Sequence, residues 1–275
     1  MLKIGVVIPA RNEEKLIGKT LKSLLNQTLK PNVIVVVDDG SSDRTADVAK
    51  QFGVTVLSRP DRGYNVIALP KETDPWNFGL KFLNEIDDID YVVMLAADQI
   101  LARGYIEKII GMMEKNRRVI LASGRIIGEM ARAPRGSGRI YRFAFLRDIG
   151  FFPANYGAES YTMCKALERG YEIRVVEDAL SFGQRKTSFS FKKMYATGKG
   201  KRALGCDPLY VLWDFLLTFF WSPKGALGML SGYFSFGVQK YSDLDFGKWQ
   251  RSTIIKRLLS KIRLRRDMFS PKKKC

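Results

Sequence analysis

The first half of the chain alternates continuous apolar runs with segments in which apolar residues recur at helical spacing. The runs Lys3–Pro9, Val33–Val37 and Tyr91–Leu95 lack the polar alternation of a strand exposed on one face. We therefore expect strands that are buried on both faces. Residues 44–52 and 105–113 follow two of these runs with helical periodicity. This order predicts an open, mostly parallel α/β sheet flanked by helices, which binds ligands at the carboxyl ends of its strands.

The first predicted helix begins close to the first strand. Asn12 is predicted to be its N-cap, with Glu13 and Glu14 in the first turn, because helix N-termini favour such side chains. Further strands are predicted over 54–57, 119–123 and 172–176, and further helices over 76–85 and 159–169.

Polar side chains follow three of the strands at the points where the strands end. The three clusters are Pro9–Glu13, Asp38–Asp43 and Ala96–Gln99. Because the carboxyl ends of parallel strands meet at one edge of a sheet, we expect the clusters to lie together. Carboxylates there can accept hydrogen bonds from a base or a ribose, or can hold a hard divalent cation. Asx turns and helix caps use the same residue types, so their spacing alone leaves a purely structural role open.

The chain has no histidine among its 275 residues and only three, widely spaced cysteines. These counts exclude a Ser-His-Asp triad, a histidine-based zinc site, a CxxC metal knuckle and a disulfide scaffold. Any chemistry therefore depends on carboxylates, amines, amides and a hard metal ion.

Positive charge is concentrated in two segments. The net charge is +18, and residues 185–202 and 248–275 supply nearly all of it. Such segregation indicates an anionic partner, for which nucleic acid and an acidic membrane surface are the two candidates. Nucleic acid is the weaker candidate, because no helix-turn-helix, zinc-binding or RNP-like pattern accompanies the charge.

An apolar stretch lies between the two basic segments. Its halves, residues 209–221 and 225–238, are both shorter than the roughly 20 residues that a membrane-spanning helix needs. Their Trp and Tyr residues suit a membrane interface, and residues 254–266 predict a basic amphipathic helix. We therefore expect residues 203–275 to form a helical extension on an anionic membrane surface. Burial in a protein core and a spanning hairpin are the alternatives.

The N-terminus reads MLKIGVVIPARNEE. Its apolar run is too short for a cleavable signal and leads directly into charged residues. These features predict a cytoplasmic protein that is peripheral to, or shallowly inserted in, the inner face of the cell membrane.

Two strings carry a family resemblance: VVIPARNEEKLIGKTLKSLLNQTL and, after it, VIVVVDDGSSDRTADVAKQFG. They resemble the N-terminal signature of glycosyltransferase family 2, which has the GT-A fold. The resemblance is specific over residues 3–58 and continues more loosely to about residue 190. It implies a Rossmann-like GT-A domain over residues 1–202 that transfers a sugar, with inversion, from a UDP- or GDP-linked donor. Together with the extension, it implies a lipid-linked or polyprenyl-phosphate acceptor.

The resemblance also implies donor-binding residues. Asp98, preceded by Ala97, matches the last carboxylate of the family's DxD motif and would hold Mg²⁺ or Mn²⁺ on the sugar diphosphate. The motif's first carboxylate is replaced by Ala96, which predicts weaker nucleotide affinity or metal dependence. A catalytically weakened nucleotide-sugar-binding protein is therefore an alternative. The residues implied to surround the base and ribose are Pro9, Arg11, Glu13 and Asp39.

On the acceptor side, the family's Glu-Asp motif retains only one acid here, Glu159. Transfer to a hydroxyl needs a carboxylate that takes the proton, and we assign this role to Glu159, with Glu177 and Asp178 as a less favoured pair. Arg185 is predicted to offset the charge of the leaving group. A phosphate acceptor would need no base. Four arginines are candidates to bind such a phosphate: Arg132, Arg135, Arg139 and Arg142.

Overall fold

A computed structural model of the chain contains two compact units, residues 1–188 and residues 189–275. The model describes residues 2–64, 66, 68–128, 133–134, 136–185, 190–220 and 222–253.

One eight-stranded sheet forms the centre of the first unit. Its strands are β1 (Ile4–Ala10), β2 (Val33–Asp38), β3 (Thr55–Ser58), β4 (Tyr91–Met94), β5 (Gln99–Leu101), β6 (Val119–Ile126), β7 (Arg139–Arg142) and β8 (Glu172–Gly183). The spatial order is β3-β2-β1-β4-β7-β6-β8-β5. Strands β3, β2, β1 and β4 pair in parallel, as do β6 and β8, which confirms the predicted mostly parallel sheet. The sequence does not predict β5 and β7, both of which pair antiparallel to their neighbours.

In the described part of the first unit, six helices cover the two faces of this sheet. They are α1 (Ile17–Leu25), α2 (Thr45–Lys50), α3 (Asp74–Asn84), α4 (Tyr105–Lys115), α5 (Phe143–Asp148) and α6 (Ala158–Glu168). Alternate residues of β1 enter two separate cores. Ile4, Val6 and Ile8 pack in a core with α1 and α4, whereas Val7 packs in a core with α3, α5 and α6. The apolar runs are therefore strands buried on both faces, as their lack of polar alternation predicts.

The predicted N-cap at Asn12 is wrong. Helix α1 begins at Ile17, and Asn12 lies before it with a left-handed backbone, φ 56°. The Asn12 Oδ1 atom accepts a hydrogen bond of 2.8 Å from the Ser42 N–H, and the Ser41 hydroxyl accepts one of 3.0 Å from the Asn12 N–H. Asn12 therefore joins the segment after β1 to the segment after β2. The Asn12 side chain, which the sequence predicts to cap α1, makes this tertiary contact instead.

The second unit is helical in the residues that the structure describes. Helices α7 (Phe191–Ala203), α8 (Pro208–Phe219) and α9 (Pro223–Tyr233) are followed by helical residues 246–253. Helix α7 packs against α9 and therefore belongs to the second unit. The boundary predicted from the sequence lies later, after residue 202. Within the described ranges, no helix combines the length and the hydropathy needed to cross a bilayer. The basic helix predicted over 254–266 lies outside the described residues.

Close packing between α7 and α9 depends on glycine. A Cβ atom on Gly198 would lie 2.0 Å from the carbonyl oxygen of Met229, and one on Gly232 would lie 2.0 Å from the carbonyl oxygen of Tyr195. Neither distance is compatible with a methyl group. Glycine at these two positions therefore lets the two helix backbones approach each other.

Gly232→Ala is expected to destabilise the protein by about 2–3 kcal/mol, because the added methyl group forces α7 and α9 apart. Gly111→Ala is the matched control, since Gly111 also lies in a helix but a Cβ atom there would meet no atom within 4 Å. An open helical glycine replaced by alanine gains about 1 kcal/mol. Urea unfolding followed by circular dichroism measures both changes. Equal unfolding free energies for the two variants would contradict the packing argument.

Candidate functional site

Three polar segments leave the sheet at one edge. Strand β1 lies between β2 and β4, and in the parallel registers Ala10 pairs with Asp38 and Val7 with Met94. The segments that follow these strands therefore emerge side by side. Asp39 follows β2 and Asp98 follows β4, which are the two neighbours of β1 in the sheet. The structure thus brings together the three clusters predicted at the strand ends.

Asp39 is held by arginines. Its side chain is only 5% exposed, and its Oδ1 atom accepts hydrogen bonds from Arg59 at 3.0 Å and from Arg62 at 2.6 Å. Arg11 donates to the Asp39 carbonyl oxygen at 2.6 Å and to the Asp61 carboxylate at 2.6 Å. These bonds fix the orientation of the Asp39 carboxylate. Pro9 is the second-to-last residue of β1 and pairs with Val37 of β2.

Sequence reasoning missed Arg59 and Arg62. Both follow β3, which pairs in parallel with β2 and therefore ends at the same edge. The signal was present: the string Arg59-Pro60-Asp61-Arg62 comes directly after a predicted strand, as the other three polar clusters do.

Asp98 and Glu13 share a single arginine. The Arg185 Nε atom donates to Asp98 Oδ2 at 2.9 Å, and its Nη2 atom donates to Glu13 Oε1 at 2.5 Å. Burial raises the pKa of Glu13, and the nearby carboxylates of Asp98 and Asp43 raise it further, against the lowering effect of Arg185. The structure therefore joins the segment after β1 to the segment after β4 through one guanidinium group.

The residues before Asp98 are held through their backbone. Ala97 is buried, and its carbonyl oxygen accepts a hydrogen bond of 2.7 Å from the Thr20 hydroxyl. The Ala96 N–H donates to the Ser137 hydroxyl at 2.8 Å. Thr20 and Ser137 thus hold the backbone directly before Asp98 in place. Ala96 itself supplies no carboxylate.

The donor set around Asp98 suits a hard cation that is bound only partly by protein. Among the residues that the structure describes, no three Cys, Asp or Glu side chains converge in a way that would hold a metal ion. Mg²⁺ is commonly bound by one or two carboxylates, with water and substrate phosphate oxygens completing its coordination. Asp98, with Glu13 beside the same guanidinium, fits this kind of site. Asp98 is the residue that would hold the cation.

Glu159 lies in the first turn of α6, beside a buried cation. Its carboxylate lies so close to Gly136 that a Cβ atom there would be 2.0 Å from Glu159 Oε2. The Arg139 side chain donates to the Glu159 carbonyl oxygen at 3.1 Å and to the Tyr141 hydroxyl at 2.7 Å. Burial lowers the pKa of Arg139, but the electrostatic fields of Tyr141 and Glu159 more than offset this and leave that pKa raised. Glu159 and Arg139 line a small pocket with Trp76, Met94 and Phe152.

Of the four arginines proposed for a phosphate acceptor, the two that the structure describes do not face a common site. Arg139 is 2% exposed and donates to groups inside the protein. Arg142 pairs with Tyr91 at the start of β4 and donates to Glu114, so it lies at the opposite end of the strand from Asp98. Its predicted place in an acceptor site is therefore wrong, because antiparallel β7 carries it away from that edge. Arg132 and Arg135 lie outside the described residues.

The less favoured acid pair lies in an irregular part of β8. Between Gly124 and Arg125 the pairing with β6 shifts, from Val176 to Leu180. Within the skipped residues, Asp178 forms an ion pair of 3.1 Å with Lys108, and Glu177 lies 3.9 Å from Arg125. Both acids are exposed and already paired with surface cations.

Comparison with known sequences gives one family. A model of the family described as Glycosyl transferase family 2 matches residues 5–172. An uncharacterised protein of Methanocaldococcus jannaschii is 57% identical over 54 residues, which is 20% of this chain and 21% of that protein. A 4,4'-diaponeurosporenoate glycosyltransferase of Staphylococcus haemolyticus is 53% identical over 55 residues, 20% of this chain and 14% of that protein. The chain thus spans about a fifth or less of the length of these two curated relatives.

Solved structures match more of the chain at lower identity. A mannosyltransferase from Pyrobaculum calidifontis in complex with GDP-Man and Mn²⁺ has a TM-score of 0.58 at 15% identity, covering 93% of this chain and 80% of that one. Staphylococcus aureus TarS in complex with UDP has a TM-score of 0.55 at 18% identity, covering 80% and 72%. These likenesses concern the fold, and they confirm the predicted GT-A architecture. With the family model covering more than half of its length, the chain belongs to glycosyltransferase family 2.

Proposed function

We propose that this protein transfers a sugar, with inversion at the anomeric carbon, from a UDP- or GDP-linked donor to a lipid-linked acceptor at the cytoplasmic face of a membrane. The observation that carries the proposal is the convergence of Arg11, Glu13, Asp39 and Asp98 at one edge of a parallel sheet. The donor class is supported by the solved structures of similar fold, whose ligands are GDP-Man with Mn²⁺ and UDP.

On the donor side, each residue has a separate task. The Asp39 carboxylate, oriented by Arg59 and Arg62, accepts hydrogen bonds from the base or ribose. Asp98 would hold Mg²⁺ or Mn²⁺, which would neutralise charge on the diphosphate. Arg185 offsets the negative charge that develops as the bond between the sugar and the diphosphate breaks.

On the acceptor side, Glu159 is the general base. As the acceptor hydroxyl oxygen forms its bond to the anomeric carbon, its proton moves to the Glu159 carboxylate and the nucleoside diphosphate leaves with the bonding electron pair. Arg139 keeps positive charge beside that carboxylate. A polyprenyl-phosphate acceptor would need no base, but Arg139 donates to internal groups and Arg142 lies at the other end of its strand. The arginines that the structure describes therefore favour a hydroxyl acceptor.

The membrane part of the proposal depends on helix α8. We define the apolar surface as the exposed apolar side chains of this helix and the residue after it. Of the α8 residues, only Val211 is buried. So large an exposed apolar area is unfavourable in water, and Trp and Tyr side chains, with Lys201 beside Tyr210, suit an anionic membrane interface. The apolar surface consists of Leu209, Tyr210, Leu212, Trp213, Leu216, Leu217, Phe219 and Phe220.

Leu209→Glu is expected to weaken binding to vesicles of phosphatidylglycerol and phosphatidylcholine by at least about tenfold. Leu209 is 77% exposed, so the change removes apolar contact with lipid and adds a charge that anionic lipid repels. The matched control is Leu25→Glu, at an exposed leucine of α1 in the first unit. Vesicle flotation measures the bound fraction. Equal loss in both variants, or no binding by the unmodified protein, would count against the membrane surface and favour a protein partner.

The whole proposal is tested by a transfer assay. Purified protein is incubated with radiolabelled UDP- or GDP-sugars and Mn²⁺ in the presence of a membrane lipid extract, and label in the lipid phase is counted. In parallel, thermal unfolding is followed with UDP or GDP, since a ligand that binds the folded state raises its stability. A thermal shift without lipid labelling or donor hydrolysis would favour the second candidate, a nucleotide-sugar-binding protein, for which Ala96 is the motivating residue.

A further inference from the structure

One exposed guanidinium group bridges two carboxylates at the candidate donor site. Arg185 donates to Asp98 at 2.9 Å and to Glu13 at 2.5 Å, through adjacent nitrogens of the same group. The two carboxylates belong to different segments, one after β1 and the other after β4. The acids therefore converge on a single positive charge, which the protein itself supplies.

The main chain of both acidic residues is held by bonds that do not involve this guanidinium. The Glu13 N–H donates to the Thr45 hydroxyl at 2.7 Å, and the Glu13 carbonyl oxygen accepts from the Ile17 N–H at 2.9 Å. The Asp98 carbonyl oxygen accepts from the Gln184 N–H at 2.8 Å. The backbone at both acidic residues is therefore held by contacts that remain when the guanidinium moves.

The arginine is the exchangeable member of the group. The Arg185 side chain is 55% exposed, compared with 12% for Glu13 and 26% for Asp98. Gln184, directly before it, is anchored by its side-chain N–H donation to the Leu16 carbonyl oxygen and the Thr20 hydroxyl. A rotation of the Arg185 side chain alone therefore frees both carboxylates.

We propose that Glu13 and Asp98 form a two-carboxylate cation site, in which the Arg185 guanidinium is the resident cation until a divalent metal ion and a nucleoside diphosphate replace it. Glu13 then supplies the second carboxylate that Ala96 does not. Carboxylate oxygens suit Mg²⁺ and Mn²⁺. The displaced guanidinium pairs with diphosphate oxygens, for which its planar donors are suited. This inference rests on the proposed function and names how its donor site is assembled.

The inference predicts that replacing Arg185 strengthens the binding of Mn²⁺ alone but weakens the binding of nucleotide. Arg185→Gln removes the competing cation, so it is expected to bind Mn²⁺ alone roughly tenfold more tightly than the unmodified protein. The same variant is expected to bind UDP or GDP in the presence of Mn²⁺ roughly tenfold more weakly, because the guanidinium no longer reaches the diphosphate. Glu13→Gln is expected to weaken Mn²⁺ binding roughly tenfold with or without Arg185. The electron paramagnetic resonance signal of free Mn²⁺ measures the metal affinity, and calorimetry measures the nucleotide affinity.

Arg117→Gln is the charge-matched control, because this exposed arginine pairs with Glu114 near the end of β4 that is remote from Asp98. Its Mn²⁺ affinity is expected to equal that of the unmodified protein. Unchanged or weaker Mn²⁺ binding by Arg185→Gln overturns the inference, as does a Glu13→Gln variant with full Mn²⁺ affinity. The proposed function fails separately, if the unmodified protein transfers no sugar from any donor.

Discussion

Asp98→Asn is expected to reduce sugar transfer by about a thousandfold, equivalent to about 4 kcal/mol of transition-state stabilisation. Asparagine keeps the size of the side chain but removes the charge that we propose holds the cation on the diphosphate. Since Asp98 is 26% exposed and its backbone is held by Gln184, the fold is expected to survive the change. Transfer is measured as label in the lipid phase at saturating donor, and stability by urea unfolding.

Asp178→Asn is the matched control for this variant. Asp178 is an exposed acid of the same unit that pairs with Lys108, and its replacement is expected to leave transfer unchanged. The thermal shift produced by UDP or GDP with Mn²⁺ is expected to disappear in Asp98→Asn and to persist in Asp178→Asn. Transfer by Asp98→Asn within tenfold of the unmodified protein would refute the assigned role of Asp98.

Glu159→Gln is expected to lower kcat by about 10² to 10⁴, which is the usual contribution of a positioned general base. Glutamine preserves the shape beside Gly136 but cannot accept the proton of an attacking hydroxyl. The KM for the donor is expected to remain unchanged, because the role proposed for Glu159 is on the acceptor side. Steady-state kinetics at varied donor concentration separate the two parameters.

Glu168→Gln, at the other end of α6, is the control for Glu159→Gln, because Glu168 forms only a surface ion pair with Lys165 among its described contacts. Loss of the Glu159 charge also removes a field that acts on buried Arg139, so urea unfolding is measured alongside to separate stability from catalysis. Undiminished turnover by a stable Glu159→Gln protein would exclude a hydroxyl acceptor that depends on this base. A phosphate acceptor would then be favoured.

Local sequence patterns predicted most of the elements that build the first unit. Strands β1, β2 and β4 were recognisable because burial on both faces requires continuous apolar residues, and α1 and α4 because one apolar face recurs at helical spacing. Strand β7 escaped prediction, because its four residues, Arg139–Arg142, place only two apolar residues between two arginines and carry no local signal for their antiparallel partners. The predicted Asn12 cap was wrong for a related reason, since the Asn12 side chain accepts a hydrogen bond from Ser42, a residue distant in the chain.

The candidate site also combines residues that the sequence predicted with contacts that only the structure showed. Residue types at strand ends indicated Asp39, Asp98 and Glu13, because a parallel sheet gathers the ends of its strands at one edge. By itself, the sequence determined which segments are strands or helices and which polar residues follow them, since these depend on neighbours a few positions away. Only the tertiary structure decided that Arg185 bridges Glu13, 172 residues earlier in the chain, to Asp98, and that Arg142 lies at the opposite edge. Such contacts arise from strand order and direction, which the chain acquires only when distant segments pack together.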